Sequence, residues 1–226
     1  MKSTNYQSIP VIAIDGPSAS GKGTVAQLVA EKLDYHYLDS GALYRIVALA
    51  ALAANIDWAN AVELGKMVPS LNIQFEDGNI YLNGQDVSDD VRTEKMGKGA
   101  SEVAVHPAVR HALVGLQHSF RKAPGLVADG RDMATVIFPD ATTKIFLTAT
   151  AEIRAERRYK QLMSKGIHAN LADILSDLQS RDVRDQQRLV APLQQAEDAK
   201  LLETSNLSIA QAVETVLSYA EKSLNK

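Results

Sequence analysis

Apolar positions along this chain fall into two rhythms. Short unbroken runs occupy Val11 to Ile14, Leu126 to Ala128 and Lys144 to Thr148, with further strand candidates at Tyr35 to Leu38 and Leu201 to Glu203. Runs of that length suit strands covered on both faces, and the long segments between them carry helical spacing. The pattern therefore predicts an α/β domain in which crossover helices flank a mostly parallel sheet. From Thr24 to Leu33 apolar residues recur at 25, 28, 29 and 33, which gives a helix one face to bury. Gly41 to Ala54 is apolar almost all round except at Tyr44 and Arg45, so those two groups are expected to face a site or an interface. Between Met67 and Asp90 the period changes to two. There LNIQF and NIYLNG alternate around Asp77-Gly78 and Asn83-Gly84, the signature of a small antiparallel unit inserted into the parallel domain. Helical spacing resumes near Arg92, breaks at Pro107 and continues from Ala108 to about Arg121. Two more helices cover about Glu152 to Ser164 and Leu171 to Arg181 onward. A last one begins with Ser208 as cap and Gln211 as its third residue, with Ile209, Ala212, Val213, Val216 and Leu217 expected to face inward.

With 46% hydrophobic residues in 226, the chain can bury a core and reads as one domain, or one domain with inserts. The formal net charge of -3 makes any basic cluster a local feature, so neither a nucleic acid polymer nor an anionic membrane is an expected partner. Absence of cysteine removes disulfides, thiolate catalysis and sulfur-rich metal sites and fits a reducing compartment. The opening MKSTNYQSIP is polar, and the apolar helix near Ala48 contains Arg45 and is too short for a bilayer; a cytoplasmic location is expected. His36, His106, His111, His118 and His168 show no metal-ligand spacing, and Trp58 and Tyr81 read as packing residues.

The chemistry enters at GPSASGKGT, Gly16 to Thr24, which follows the first apolar run and precedes the first helical pattern. Strand, glycine-rich loop and helix in that order make a phosphate cradle. Glycines at 16, 21 and 23 let backbone N–H groups converge on an anion, and Lys22 supplies a charge that reaches terminal phosphates, so a nucleoside triphosphate is the expected ligand. Ser18, Ala19 and Ser20 complete the loop. Gly23 stands where the usual motif has Ser or Thr, and the hydroxyl appears one place later at Thr24, which argues against simple switch-type hydrolases.

Ligands of open α/β sheets bind at the carboxyl ends of the strands. LDSGALYR places Asp39, Ser40 and Arg45 after the second strand candidate, and VADGRDM places Asp129, Arg131 and Asp132 after the third. Downstream, Arg154, Arg157 and Arg158 share one helical face, and Arg181, Asp185 and Arg188 share another. In isolation these would be solvated, salt-bridged faces, with Glu152, Glu156, Asp177 and Asp182 alongside. Beside a phosphate cradle they read as two groups of arginine forks, one for phosphates in flight and one for a phosphorylated acceptor.

These residues resemble the bacterial cytidylate kinases, a branch of the nucleoside monophosphate kinases. The likeness runs from GPSASGKGT through LDSGALYR, VADGRDM with FPDA, and RDVRDQQRLVAPL, and so covers nearly the whole chain. It implies a P-loop parallel sheet with flanking helices, a small antiparallel sheet at about 67–90 within a monophosphate-binding region at about 40–105, and a short mobile lid at about 152–168. Carried onto this sequence, it implies that Ser40, Arg45, Arg131 and Arg188 surround the monophosphate's phosphate. By the same resemblance Ser101, Arg110 and Asp132 read the cytosine ring, Arg181 and Asp185 lie near the ribose, and Arg154, Arg157 and Arg158 are lid arginines. Gly23 is the usual residue in this family.

The implied reaction is direct in-line transfer of the γ-phosphoryl of ATP to CMP or dCMP by a protein expected to act as a monomer. Mg²⁺ is expected on the outer ATP phosphates, with Thr24 as a candidate ligand and either Asp39 or Asp129 holding its waters. A nucleotide-driven switch is the alternative class. It would be favoured by an N-K-x-D guanine motif, and none occurs.

Overall fold

The computed structural model describes residues 9–76 and 79–224. In chain order its elements begin with β1 (Val11–Asp15), α1 (Lys22–Leu33), β2 (His36–Asp39), α2 (Ser40–Ala53) and α3 (Ala61–Met67). There follow β3 (Ile73–Glu76), β4 (Asn79–Leu82), β5 (Gln85–Asp86), α4 (Glu94–Val103) and α5 (Pro107–Ser119). The remainder holds β6 (Leu126–Gly130), β7 (Thr143–Thr148), α6 (Ala151–Ser164), α7 (Leu171–Gln187), β8 (Lys200–Glu203) and α8 (Ile209–Leu224). Two compact units divide the chain, one made by residues up to 38 with those from 120 onward, the other by 39–119.

In the first unit the strands run in the order β2-β6-β1-β7-β8. β1 pairs in parallel with β6 and with β7, and β7 with β8. The β1/β6 register sets Asp15 opposite Gly130, so the two strands finish side by side where their following loops begin. β1 is entirely apolar up to Asp15 and wholly buried, as a central parallel strand requires. One sheet face packs Ile12, Ile14, Ile145 and Leu147 against Val25 and Val29 of α1 and Val213 and Val216 of α8. The capping box of α8 is present: Gln211 N–H donates to Ser208 Oγ at 3.2 Å, and Ser208 N–H donates to Gln211 Oε1 at 2.9 Å. Ala212, Val213 and Val216 are buried and Leu217 packs against them, but Ile209 is 55% exposed, contrary to the periodicity. Helical side chains lean toward the N-terminus, so a residue of the first turn overhangs the end of the packed layer.

The second unit carries the inserted antiparallel sheet, in the order β3-β4-β5. Asn83 and Gly84 both take positive φ, 52° and 82°, the paired left-handed geometry of a tight Asn-Gly hairpin turn. The Asp77-Gly78 turn lies outside the described residues. Gly99 lets α4 approach α2, since a Cβ there would come within 2.8 Å of Ala48 Cβ and 2.7 Å of the Trp58 ring. Trp58 donates from Nε1 to Ala48 O at 3.0 Å, and His106 Nε2 is 2.7 Å from Trp58 O, so both are packing groups. Among the described residues no helix is long and apolar enough to cross a membrane.

Candidate active site

The loop after β1 is built to expose N–H groups. Gly16 lies against the Leu147 carbonyl, where a Cβ would overlap the oxygen. Ala19 and Gly21 adopt left-handed φ values of 57° and 93°, and such reversals turn successive amides toward one point. α1 then starts at Lys22 with no side-chain cap and no acid in its first turn, so its leading donors and positive dipole end face the loop. Ser20 is 1% exposed and its Oγ has no partner among the described residues, an orphaned hydroxyl of the kind an anion satisfies.

Lys22 Nζ lies 3.5 Å from Pro17 O and 3.9 Å from Asp129 Oδ2. Asp129, 4% exposed on β6, accepts from Tyr37 Oη at 2.7 Å through its other oxygen. A Cβ at Gly23 would stand 3.6 Å from Tyr37 Oη and 3.9 Å from both Asp129 oxygens.

Four arginines converge on this loop and its neighbours. Arg131 donates from Nη2 to Ser18 Oγ and from Nε to Asp185 Oδ2, each at 2.7 Å. Burial alone would raise Asp185, but the Arg131 charge and hydrogen bond, helped by Arg188 and Arg181, hold its carboxyl below the usual range. Arg188 Nη2 lies 3.7 Å from Asp132 Oδ1. Arg154, 4% exposed, donates to Ser18 O at 3.1 Å and grips both Asp182 oxygens. Arg157 donates to Ser20 O at 3.0 Å and to Thr204. Arg158 turns away, to Gln161. The downstream arginine faces are therefore bonded into the loop and to α7 rather than simply solvated.

In the second unit α2 begins at Ser40, capped by Asp39, whose Oδ1 accepts from Ala42 N–H at 3.0 Å. Ser40, 3% exposed, donates to Gln117 Oε1 at 2.8 Å. Arg45 donates to Val91 O and Thr93 O, and its guanidinium lies so close to Gly97 that a Cβ there would come within 3.3 Å. Arg110, 6% exposed, sits 5.7 Å over the Tyr44 ring and donates to Ala104 O, and Ser101 is 8% exposed on α4. Tyr44 and Arg45 thus both have polar or ring partners, as the gap in the apolar pattern of α2 requires. Sequence reading missed Asp15, Tyr37 and Gln117, and placed Asp182 among the salt-bridging carboxylates without naming Arg154 as its partner. Asp15 alone left a local signal, a charge ending an otherwise apolar strand directly before Gly16.

An anion cradle at the carboxyl edge of a parallel sheet, with a lysine in it and arginine-carboxylate pairs from the adjoining loop and helices, defines a P-loop domain that handles phosphate groups. Residues 12–222 match the family model for cytidylate kinase, and the chain belongs to that family. It is 64% identical over 217 residues to a cytidylate kinase of Polynucleobacter asymbioticus, covering 96% of this chain and 99% of that protein. With the cytidylate kinase of Polynucleobacter necessarius it shares 66% over 210 residues, or 93% of this chain and 98% of the other. A solved structure of an uncharacterized protein from Eubacterium ventriosum aligns over 94% of this chain and 98% of that one, with a TM-score of 0.51 at 13% identity, a likeness of fold.

Proposed function

We propose that this chain is a (d)CMP kinase that moves the γ-phosphoryl of ATP to an oxygen of the 5'-phosphate of CMP or dCMP, releasing ADP and CDP or dCDP. The observation that carries the reading is the lysine-bearing cradle with its orphaned Ser20 hydroxyl beside a strand end followed by Arg131 and Asp132, in a chain of this family. The acceptor oxygen forms a bond to the γ-phosphorus as the bond to the β–γ bridging oxygen breaks. With a second phosphate pKa of about 6 the acceptor is already anionic, so no side-chain nucleophile is needed and positioning with charge stabilisation supplies the catalysis.

Gly16, Ser18, Ala19, Ser20, Gly21, Gly23 and Thr24 cradle the donor phosphates, and Lys22 follows charge onto the outer two. Ser40, Arg45, Arg131 and Arg188 hold the acceptor phosphate, Ser101, Arg110 and Asp132 read the ring, and Arg181 and Asp185 attend the ribose. Residues of about 152–168 act as a lid whose Arg154, Arg157 and Arg158 exchange their present partners for phosphate. Mg²⁺ fits the residues present, because the buried Asp129 carboxylate stands beside residue 23, one place before the Thr24 hydroxyl, and both are hard oxygen donors. Thr24 with Asp129 or Asp39 would hold it; when bound it supplies positive charge to the outer phosphates. The protein acts as a cytoplasmic monomer on mononucleotides. Incubation of ATP with CMP, dCMP, UMP and AMP in parallel tests the reading: diphosphate formation fastest with CMP and dCMP is expected, and a preference for AMP or the absence of any diphosphate overturns it.

A further inference from the structure

Asp15 ends β1 and is 2% exposed. Its two oxygens accept from the N–H groups of Met133 and Ala134, each at 2.8 Å. Those residues open the π-helical turn Met133–Ile137, in which Ile137 and Phe138 donate back to Asp132 O and Met133 O. The first N–H groups of such a turn have no partner within it. The residue at the cap position is Asp132, with φ −148° and ψ 24°, and its side chain makes no capping bond. An aspartate there ordinarily accepts from the second or third N–H. Here the Asp15 carboxylate of β1 takes the first and second N–H groups, including one that a capping Asp132 would use, and the Asp132 carboxylate lies toward Arg188 instead.

We propose that Asp15 is a positioning residue for base recognition: by capping the Met133–Ile137 turn in place of Asp132, it keeps the Asp132 carboxylate directed toward Arg188 and the pyrimidine's exocyclic group. This rests on the (d)CMP kinase reading above. The arrangement is electrostatically costly. Burial pushes Asp15 up to about 6, the two backbone N–H bonds oppose that, and the nearby Asp132 charge adds to it while Arg131 offsets it. A lone serine or asparagine could cap a turn without that cost, but only by occupying position 132 itself. The cap is also anchored: Asp15 precedes Gly16, which is wedged against Leu147, so the reading loop takes its position from the same strand end that launches the phosphate cradle.

Asp15→Ala removes both acceptors, and Asp15→Asn keeps one. The ratio of kcat/KM for CMP over UMP is expected to fall about tenfold in Asp15→Ala and less in Asp15→Asn, with KM for CMP raised and the Kd for ATP within about threefold of the parent. A merely structural role would reduce active protein and leave the ratio and KM unchanged, and that result in an active parent overturns this proposal alone. A parent inactive on both CMP and UMP overturns the kinase reading and the proposal with it. Should the variants fail to fold, the parent carries the test through hydrogen exchange. Protection of the Met133 and Ala134 amides equal to that of β1 supports the cap, and exchange at the rate of exposed loops overturns it.

Discussion

Replacing Arg154 with Met measures how firmly the start of α6 is tied to the phosphate loop. The guanidinium donates to Ala149 O at 3.0 Å, Ser18 O at 3.1 Å and the Asp182 carboxylate at 3.1 and 2.5 Å, and the residue is 4% exposed. Methionine fills much of the stem's volume and supplies none of these donors, so two carbonyls and a carboxylate lose a partner together. Breaking a buried pair from one side costs about 3 to 5 kcal/mol. Asp182 keeps 16% of its side-chain exposure, so water recovers part of that, and about 2 to 4 kcal/mol is expected. In a chain of this length 1 kcal/mol moves the melting temperature by about 2 to 4 °C, so a fall of about 5 to 15 °C follows. Thermal melts of the parent, Arg154→Met, Asp182→Asn and the double variant give the assay. The two single changes are expected to be non-additive by about 1 to 3 kcal/mol. A fall under about 2 °C, or strictly additive changes, would refute the reasoning.

Lys22→Met is expected to reduce turnover by about 10² to 10³ with the fold intact by circular dichroism, and activity within tenfold of the parent would contradict the role given to its ammonium. Arg188→Ala is expected to raise KM for CMP while leaving the Kd for ATP little changed; titrations in which the loss falls on ATP would reverse the assignment of the two arginine groups. Asp15, raised by burial to about 6 from an ordinary 3.8, favours the folded state fully below the lower value and loses that contribution as pH rises through the higher, about 3 kcal/mol in all. Melts from pH 4 to 7 are therefore expected to show the penalty of Asp15→Asn shrinking as pH rises, and a constant penalty would contradict it.

The parts of this fold that local sequence specifies were legible. Three strands announced themselves as short apolar runs and two more as weaker candidates, Asn83-Gly84 as a turn needing two positive φ values, and Ser208 with Gln211 as a capping box. The cradle was legible because its glycines serve the ligand and its strand and helix flank it directly. What remained hidden depends on registers and packing that join distant segments. Asp182 meets Arg154 only because α6 and α7 pack side by side, 28 positions apart in sequence. Asp15 reaches Met133 and Ala134 only because β1 and β6 end level. The turn Met133–Ile137 is apolar except for Thr135, and so short a stretch carries no period that separates strand from helix. Ile209 fits the inward stripe of α8 in sequence, yet periodicity does not say where the sheet beneath a helix stops.

Direct transfer between two nucleotides is the central step, and a single-turnover experiment with ATP labelled in its γ-phosphoryl tests it most directly. With CMP present, label is expected to pass into CDP in step with ADP formation, one for one, with none held on the protein and ADP formation negligible when CMP is left out. Label released as inorganic phosphate at the same rate with or without CMP would contradict the account.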